Sequence, residues 1–351
     1  MNSRERVIAM LEGQPVDHLP LMPITMMFAS DLIGAKYLDY ATNFRVQAEG
    51  QIQVAERFGL DHASVVSDPC CEASDLGSSV KFFPNQPPAI DEENALLAEK
   101  DKLTELKIPA LPGGVRMTNR VQAVGLLKER IGGDKIVEGW IEGPCAQAAD
   151  LRGINALMTD FFDDPPFVFD LFEFVLELEV AFAKAQLAAG AELIGVGDAA
   201  ASLVGPKIYQ EFVWSYEKKM VDRLHALGAR VRLHICGNTK QILEGMGRLG
   251  CDLVDLDSPT PLQDARAAMG PDQVLLGNLD PVRDLRDGTP ESVYAGVAKC
   301  HRQAGPRFIV GAGCEVVRDT PAANLQAMAR YAFNSHPERQ AVHVLNKEAQ
   351  K

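Results

Sequence analysis

The stretch RVRLHICGNTKQILEGMGRLGCDLVDLDSPTPLQDARAAMGPDQVLLGNLDP, residues 230–281, decides how the chain folds. It holds three short apolar runs, RVRLHICG (230–237), CDLVDLDSP (251–259) and QVLLGNLDP (273–281), with helical stretches between them. Runs this short and this apolar read as parallel strands buried on both faces. Moving outward, the same kind of run recurs as HLPLMPITM (18–26), HASVVSDP (62–69), KIVEGWIEGP (135–144), AELIGVGD (191–198) and RFIVGAGCE (307–315). Helical stretches cover 43–58, 165–189, 206–227 and 321–333, and several open on a proline or a capping residue, as at Asp164-Pro165 and Asp319-Thr320-Pro321. Eight strands alternating with helices predict an α/β chain folded as a single (β/α)8 barrel. A doubly wound sheet would show a glycine-rich phosphate loop after its first strand, and none is present.

A barrel takes about 250 residues, which leaves roughly 100 over. The surplus falls in an N-terminal helical extension and in an insertion after the second strand, about 77–120, rich in Pro and Gly. That insertion lies on the side where barrels carry active sites, so it is expected to form a rim or partial lid. No repeat or linker divides the chain, so 1–351 is read as one domain with its barrel core over about 18–334.

Composition excludes several classes of protein. The chain has 351 residues, 46% of them hydrophobic, with 35 Lys and Arg against 48 Asp and Glu, a net charge of −13. That balance argues against nucleic acid or an anionic membrane surface as partner, since both call for clustered cations. The first residues, MNSRERVIAMLEGQPVDHLP, lack the apolar core of a secretory signal. The longest apolar stretches, such as 21–29, are far short of a membrane span. Seven scattered cysteines without a CxxC suit a reducing compartment, so the chain is expected in the cytoplasm.

In a barrel, polar residues at the C-terminal strand ends project into the mouth. Here these are Asp68, Glu142, Asp198, His234 with Cys236, Asp257, Asn278 with Asp280, and Cys314 with Glu315. Asp257 before Ser258-Pro259 and Asp280 before Pro281 also read as turn residues. His234 and Cys236 are two apart, so they face the same way at the end of their strand. Cys314 ends the eighth strand, where a barrel can bring it to the same mouth. One His and two Cys form a ligand set suited to zinc, and three protein ligands with an open fourth position mark a catalytic site. The competing reading, a hydrogen-bonded core histidine and buried thiols, is outweighed by the strand-end placement of all three. Cys251 and Cys300 read as core, Cys145 as packing beside the mouth, and the vicinal Cys70-Cys71 as rim residues. Two thiolates make zinc a weaker acid towards water but leave a bound thiolate more nucleophilic. The set therefore favours thiol alkylation over hydrolysis.

At these residues the sequence resembles the uroporphyrinogen decarboxylase superfamily, and within it the methylcobamide:thiol methyltransferases. The likeness runs through NSRERVIAMLEGQPVDHLP, SDPCCEASDLGSSVKF, EGPCAQAADLRG, LHICGNT, LLGNLDP and GAGCEVVRDTPAANLQAM. It implies a barrel whose zinc ligands match His234, Cys236 and Cys314. The vitamin B12-independent methionine synthases are similar in using a His-x-Cys pair and a later Cys. The decarboxylases themselves carry an arginine-rich stretch after strand one, where this chain reads MPITMMFASDLIGAKY, without arginine. Their tyrosine after the Gly-Pro of strand three falls at Asp150 or a neighbour, and their histidine before DTP falls at Cys314. Only their aspartate after strand two is retained, as Asp68.

The resemblance implies methyl transfer from a methylated corrinoid, carried by a corrinoid-binding protein, to a zinc-held thiol such as coenzyme M. Asp68, Glu142 and Asp198 are then expected to orient His234, or, for Glu142, to fill the fourth zinc position. Glu315 is expected to point away if its strand stays regular. Arg232 and Arg318 are the cations within reach of an acceptor's sulfonate. Tetrahydrofolate as acceptor, decarboxylation, and a non-catalytic corrinoid-protein-binding barrel are the alternatives. A homodimer is the habit of the superfamily.

Overall fold

The computed structural model describes residues 1–111 and 114–335. Among the described residues nine strands follow one another: β1 (His62–Ser64), β2 (Val80–Phe83), β3 (Gln86–Ile90), β4 (Ile136–Glu142), β5 (Leu193–Gly197), β6 (Arg230–Ile235), β7 (Leu253–Leu256), β8 (Val274–Leu279) and β9 (Phe308–Ala312). Seven of them form one parallel sheet in the order β1-β4-β5-β6-β7-β8-β9, while β2 and β3 pair as a separate antiparallel hairpin.

The eighth barrel position belongs to residues 20–22. Leu21 bridges Val310 in parallel, Val310 N donates to Pro20 O, and Met22 N donates to Val310 O. On the other side, Asp61 N donates to Leu21 O. This segment therefore joins β9 to the start of β1 and closes the (β/α)8 barrel. It is a bridge rather than the nine-residue strand expected over 18–26, because Pro20 and Pro23 have no N–H to give to a ladder. All the parallel strands run the same way, so their C-terminal ends share one mouth.

Helices flank the strands at the expected places. The helix Phe44–Phe58 is capped by the Asn43 side chain on Arg45 N, and Pro165–Ala189 by Asp164 on Phe167 N. Their apolar faces fill the space between helix layer and sheet, with Ile52, Val54, Phe172 and Phe182 fully buried. Among the described residues, no helix is long and apolar enough to cross a membrane.

The insertion after the second barrel strand is shorter than the expected 77–120. It consists of the β2–β3 hairpin and two 3₁₀ turns, Glu92–Asn94 and Lys100–Glu105, before the barrel helix Val115–Ile131 begins. Residues 112 and 113 of that segment lie outside the described residues. The rim role does hold in part, since Ile90 and Glu92 line a cavity at the mouth.

Inside the barrel, strands β4 to β7 carry a layer of charge. Arg232 on β6 is fully buried and bonds Glu138 on β4 through Nη1, at 3.2 Å to each oxygen. It also bonds Asp255 Oδ2 on β7, from Nη2 at 2.6 Å and from Nε at 3.1 Å. Gly195 lies across from Arg232 in register, and its missing side chain leaves room for the indole of Trp140. A Cβ there would meet the ring at 2.3 Å. The guanidinium of Arg232 sits 5.9 Å from the centre of that ring.

Candidate metal centre and barrel mouth

His234 and Cys236 leave the end of β6 on the same side, as their spacing predicts. His234 Nε2 lies 3.0 Å from Cys236 Sγ, and Cys236 Sγ lies 3.8 Å from Cys314 Sγ. One donor atom from each residue falls within 4.8 Å of the other two. Two sulfurs on a tetrahedral zinc with bonds of about 2.3 Å would stand ~3.8 Å apart, so the cysteine pair already has the spacing of that edge. All seven cysteines are free thiols. The donor set fits zinc.

The turn behind the pair is held by side chains from the next strand. The chain reverses at Gly237, whose φ of 88° is costly for any residue with a side chain. Gly237 N donates to Asp257 Oδ2 at 2.7 Å, and Ser258 N donates to Asp257 Oδ1. Asp257 is thus the turn residue that its Ser-Pro context suggests. Asp280 likewise caps the turn Pro281–Arg286 by accepting from Val282 N and Arg283 N. Asn278 bonds the carbonyls of Asp257 and Thr260, which also braces this loop.

His234 is oriented by a residue that reading the strand ends did not single out. Its Nδ1 lies 3.0 Å from Asp255 Oδ2, the residue directly opposite it on β7. The contact is an ion pair off the line of a well-directed hydrogen bond. It fixes the ring so that Nε2 faces the cysteines. Burial works against a charged imidazole here, but Cys236 and Asp255 outweigh it and hold His234 well above its ordinary pKa. Cys314 is held well below an ordinary thiol by its contact with Cys236 and by His234. Metal binding needs the thiolate and a neutral imidazole, so an arriving ion would displace the proton that His234 holds.

The three carboxylates expected to orient His234 do other things. Asp198 caps the helix Pro144–Arg152, accepting from Cys145 N and from Ala146 N at 2.6 Å, and burial raises it to about 7. Asp68 is gripped by both ends of the Arg116 guanidinium and by Ser67 Oγ. Burial raises its pKa, but Arg116 outweighs this and holds Asp68 below the usual carboxylate range. Glu142 lines the cavity that His234, Cys236 and Cys314 line, yet lies outside the cluster of atoms within 4.8 Å. Burial, with Glu72 and Asp150 nearby, pushes Glu142 well above its ordinary value. Among the described residues, none of these three carboxylates makes a hydrogen bond or ion pair with His234.

Glu315 departs from the expectation that it points away. The strand ends at Ala312, so Gly313-Cys314-Glu315 no longer alternates, and Glu315 lines the same cavity while accepting from Met27 N. Burial lifts it to about 7. Cys145, Cys251 and Cys300 are buried away from the cavity, as expected. Cys70 is buried too and bonds Pro88 O of the hairpin.

The model of the uroporphyrinogen decarboxylase (URO-D) family matches residues 2–334. The chain belongs to the URO-D family. Within the family it is 32% identical to a methylcobamide:CoM methyltransferase, MtbA, of Methanosarcina mazei, over 94% of this chain and 97% of the relative. It is 30% identical, with the same coverage, to the protein of the same name from Methanosarcina acetivorans. A solved methyltransferase from Methanosarcina mazei superposes with a TM-score of 0.87 over 98% of this chain and 99% of its own, at 22% identity, which establishes a shared fold.

A test of the site concerns Asp255. Asp255→Asn keeps the shape of the side chain but removes the charge that holds the imidazole ring. Residues that orient a metal-bound histidine typically contribute 10–100-fold to metal affinity, so a zinc dissociation constant raised by roughly that factor is expected. Competition with a chromophoric chelator measures it. An unchanged constant would remove Asp255 from this role.

Proposed function

We propose that this URO-D family member is a methyltransferase that moves a methyl group from a methylated corrinoid, presented by a partner protein, to a thiol at His234, Cys236 and Cys314. The observation that carries the reading is the convergence of these three donors at the barrel mouth on one cavity of about 170 Å³. Zinc bound by these residues would keep an incoming thiol ionised at neutral pH.

The chain's own residues supply position and dryness. Asp255 aims His234, and the ring of Asp257, Thr260 and Asn278 contacts fixes the loop that carries Cys236. Ile24, Met26, Val66 and Trp140 line the cavity and exclude water from the sulfur. The thiol sulfur supplies the electron pair of the new S–C bond. The pair of the old carbon–cobalt bond stays with the corrinoid, which passes from methyl-Co(III) to Co(I). The thiol's proton passes to bulk water beforehand, on binding. Holding the two partners in line is worth several kcal/mol of barrier, on the order of 7 in well-oriented cases.

A second cavity of about 450 Å³ opens outside the first and shares Pro69, Glu142, Ala199 and Cys236 with it. Its apolar wall, including Ile90, Ile154 and the exposed Leu203, is a surface against which a corrin can rest. The inner cavity is smaller than the ~300–1,000 Å³ typical of drug-sized ligands, which suits a small thiol better than tetrahydrofolate. Decarboxylation of a tetra-anionic porphyrinogen would need cations at the mouth, yet among the described residues no arginine lines either cavity, and Arg116, Arg120 and Arg232 are each engaged with carboxylates.

The test uses purified protein with free methylcobalamin as donor. Thiol-dependent loss of the methylcobalamin spectrum is expected, abolished by chelator and restored by zinc. Turnover that survives complete metal removal, or no reaction with any thiol after zinc loading, would overturn the proposal.

A further inference from the structure

Among the described residues, neither cavity at the mouth is lined by a lysine or an arginine. The inner one is lined by Asp68, Glu142 and Glu315, and the outer one by Glu92, Glu142 and Asp150, with no Lys or Arg in either lining. The two cations considered from sequence are committed elsewhere. Arg232 lies fully buried inside the barrel between Glu138 and Asp255. Arg318 is held by Asp31 and by Asn85 O. Arg116 is spent on Asp68, and Arg120 bonds Ser67 Oγ and Asp68 O, with Glu72 3.6 Å away.

No hydrogen bond or ion pair to the Glu142 side chain is found among the described residues. It is only 5% exposed, and it lines both cavities, the two spaces that would take an acceptor and a donor. Asp150 Oδ2, on the wall of the outer cavity, is likewise buried without a partner. A buried carboxylate left without a donor is costly unless something arrives to satisfy it.

From this geometry we infer that the acceptor is a small thiol bearing no negative charge, with an ammonium or N–H group that meets Glu142: an aminothiol rather than a sulfonate- or carboxylate-bearing thiol. The inference rests on the thiol-methylation reading above and narrows its substrate. A sulfonate entering here would lose its water and find carboxylates in place of a counter-charge. Two thiolates already cancel the charge of a divalent metal, so the ligand set offers no surplus either. If Glu142 carries a proton, it has one O–H to offer a three-oxygen anion; if it is ionised, it repels one. An ammonium two carbons from the sulfur draws Glu142 to its ionised form and pairs with it. Relatives named for coenzyme M, itself a sulfonate, would then differ from this chain in the chemistry of their acceptor pocket.

Three thiols with the same two-carbon spacer test this directly: cysteamine (cationic), 2-mercaptoethanol (neutral) and 2-mercaptoethanesulfonate (anionic). Titration calorimetry on the zinc-loaded protein gives their affinities, and methylcobalamin demethylation gives their KM values. Cysteamine is expected to bind roughly 10- to 100-fold more tightly than the sulfonate, as for a charge-assisted hydrogen bond, with mercaptoethanol between them. Glu142→Gln should reduce that ratio at least several-fold, and because it is a ratio between proteins, the thiols' different acidities cancel. Zinc content and melting temperature confirm that the variant is folded; if it is not, the ranking in the natural protein decides alone. A sulfonate that binds as tightly as cysteamine would overturn the inference while leaving thiol methylation intact. A preference for cysteamine that survives Glu142→Gln unchanged would overturn the assignment to Glu142. If none of the three binds or reacts, thiol methylation itself fails and the inference falls with it.

Discussion

Alanine at His234, Cys236 or Cys314 is expected to strip the chain of zinc and abolish methyl transfer. The natural protein should hold about one zinc per chain, and each variant a small fraction of that, because a three-ligand site reduced to two loses a bond and leaves the remaining thiolate without its partner. The loss of activity should exceed the roughly 10- to 100-fold that follows removal of a residue behind the ligands. Cys314→Ser is the sharper version, since a hydroxyl of similar size fills the space without providing a thiolate. The barrel should survive the cysteine changes best: Cys236 and Cys314 are only partly buried and sit beyond the last ladder residues of β6 and β9, Ile235 and Ala312. Zinc binding therefore gives a second readout. Metal present at about a hundred times its dissociation constant stabilises the natural protein by ~2.7 kcal/mol, so its melting temperature should rise with zinc while those of the variants stay still. Elemental analysis and paired melting curves decide the matter. Variants that keep a full zinc complement would show that these three residues are not the ligands.

The barrel and the meeting of His234, Cys236 and Cys314 at its mouth were legible because they depend on strand pattern and strand ends. Apolar runs gave the strands, and the two-residue spacing of His234 and Cys236 put both on one face. What escaped was set by partners distant in sequence. Asp255 sits mid-strand in an apolar run, and only the register that places it opposite His234 reveals its role. A lone charge inside a buried strand was the available signal, and Glu138 and Arg232 carry the same one. The Pro and Gly content of 77–120 hides the start of the helix Val115–Ile131, which has no cap of its own in the sequence. Its first N–H groups, on Val115, Arg116 and Met117, are taken by Asp75 from the preceding segment. Glu315 was misplaced for a related reason: alternation holds only while the ladder lasts, and β9 stops three residues earlier.

Replacing Arg232 by methionine is expected to be the most destabilising single change in the barrel interior. The side chain is fully buried, and its fork bridges Glu138 and Asp255, which are themselves 0% and 1% exposed. Methionine fills much of the volume but leaves Glu138 without its cation and Asp255 with His234 alone. His62 cannot substitute: its Nε2 lies 3.5 Å from Glu138, but burial, and then Arg232, keep it neutral. Breaking a buried pair in this way costs ~3–5 kcal/mol, which urea unfolding would show as a lowered midpoint. Lysine should not rescue it, because a single ammonium cannot reach both carboxylates in the geometry of a guanidinium. The penalty should depend on pH in a defined direction. In the natural protein Arg232 and His234 outweigh burial and hold Asp255 below its ordinary value, so the stability it contributes is present above the unfolded carboxylate range and lost as pH falls through its folded value. In the variant Asp255 loses one of its two counter-charges, and Glu138, already raised by burial in the natural protein, loses the cation that held it down. Groups raised in this way are destabilising only above about pH 4, where the unfolded chain has already released their protons. The gap between natural and variant proteins should therefore be widest near pH 8 and narrow towards pH 5, as the orphaned carboxyls take up protons. Glu138→Gln added to Arg232→Met should recover part of the loss, because removing both members of a buried pair costs less than removing one. Asp255 would then still lack its anchor, so zinc affinity should stay low even where stability returns. That separation would show that the charged layer inside the barrel serves the metal centre by holding Asp255 against His234. Equal urea midpoints for the natural protein and Arg232→Met at pH 8 would refute it.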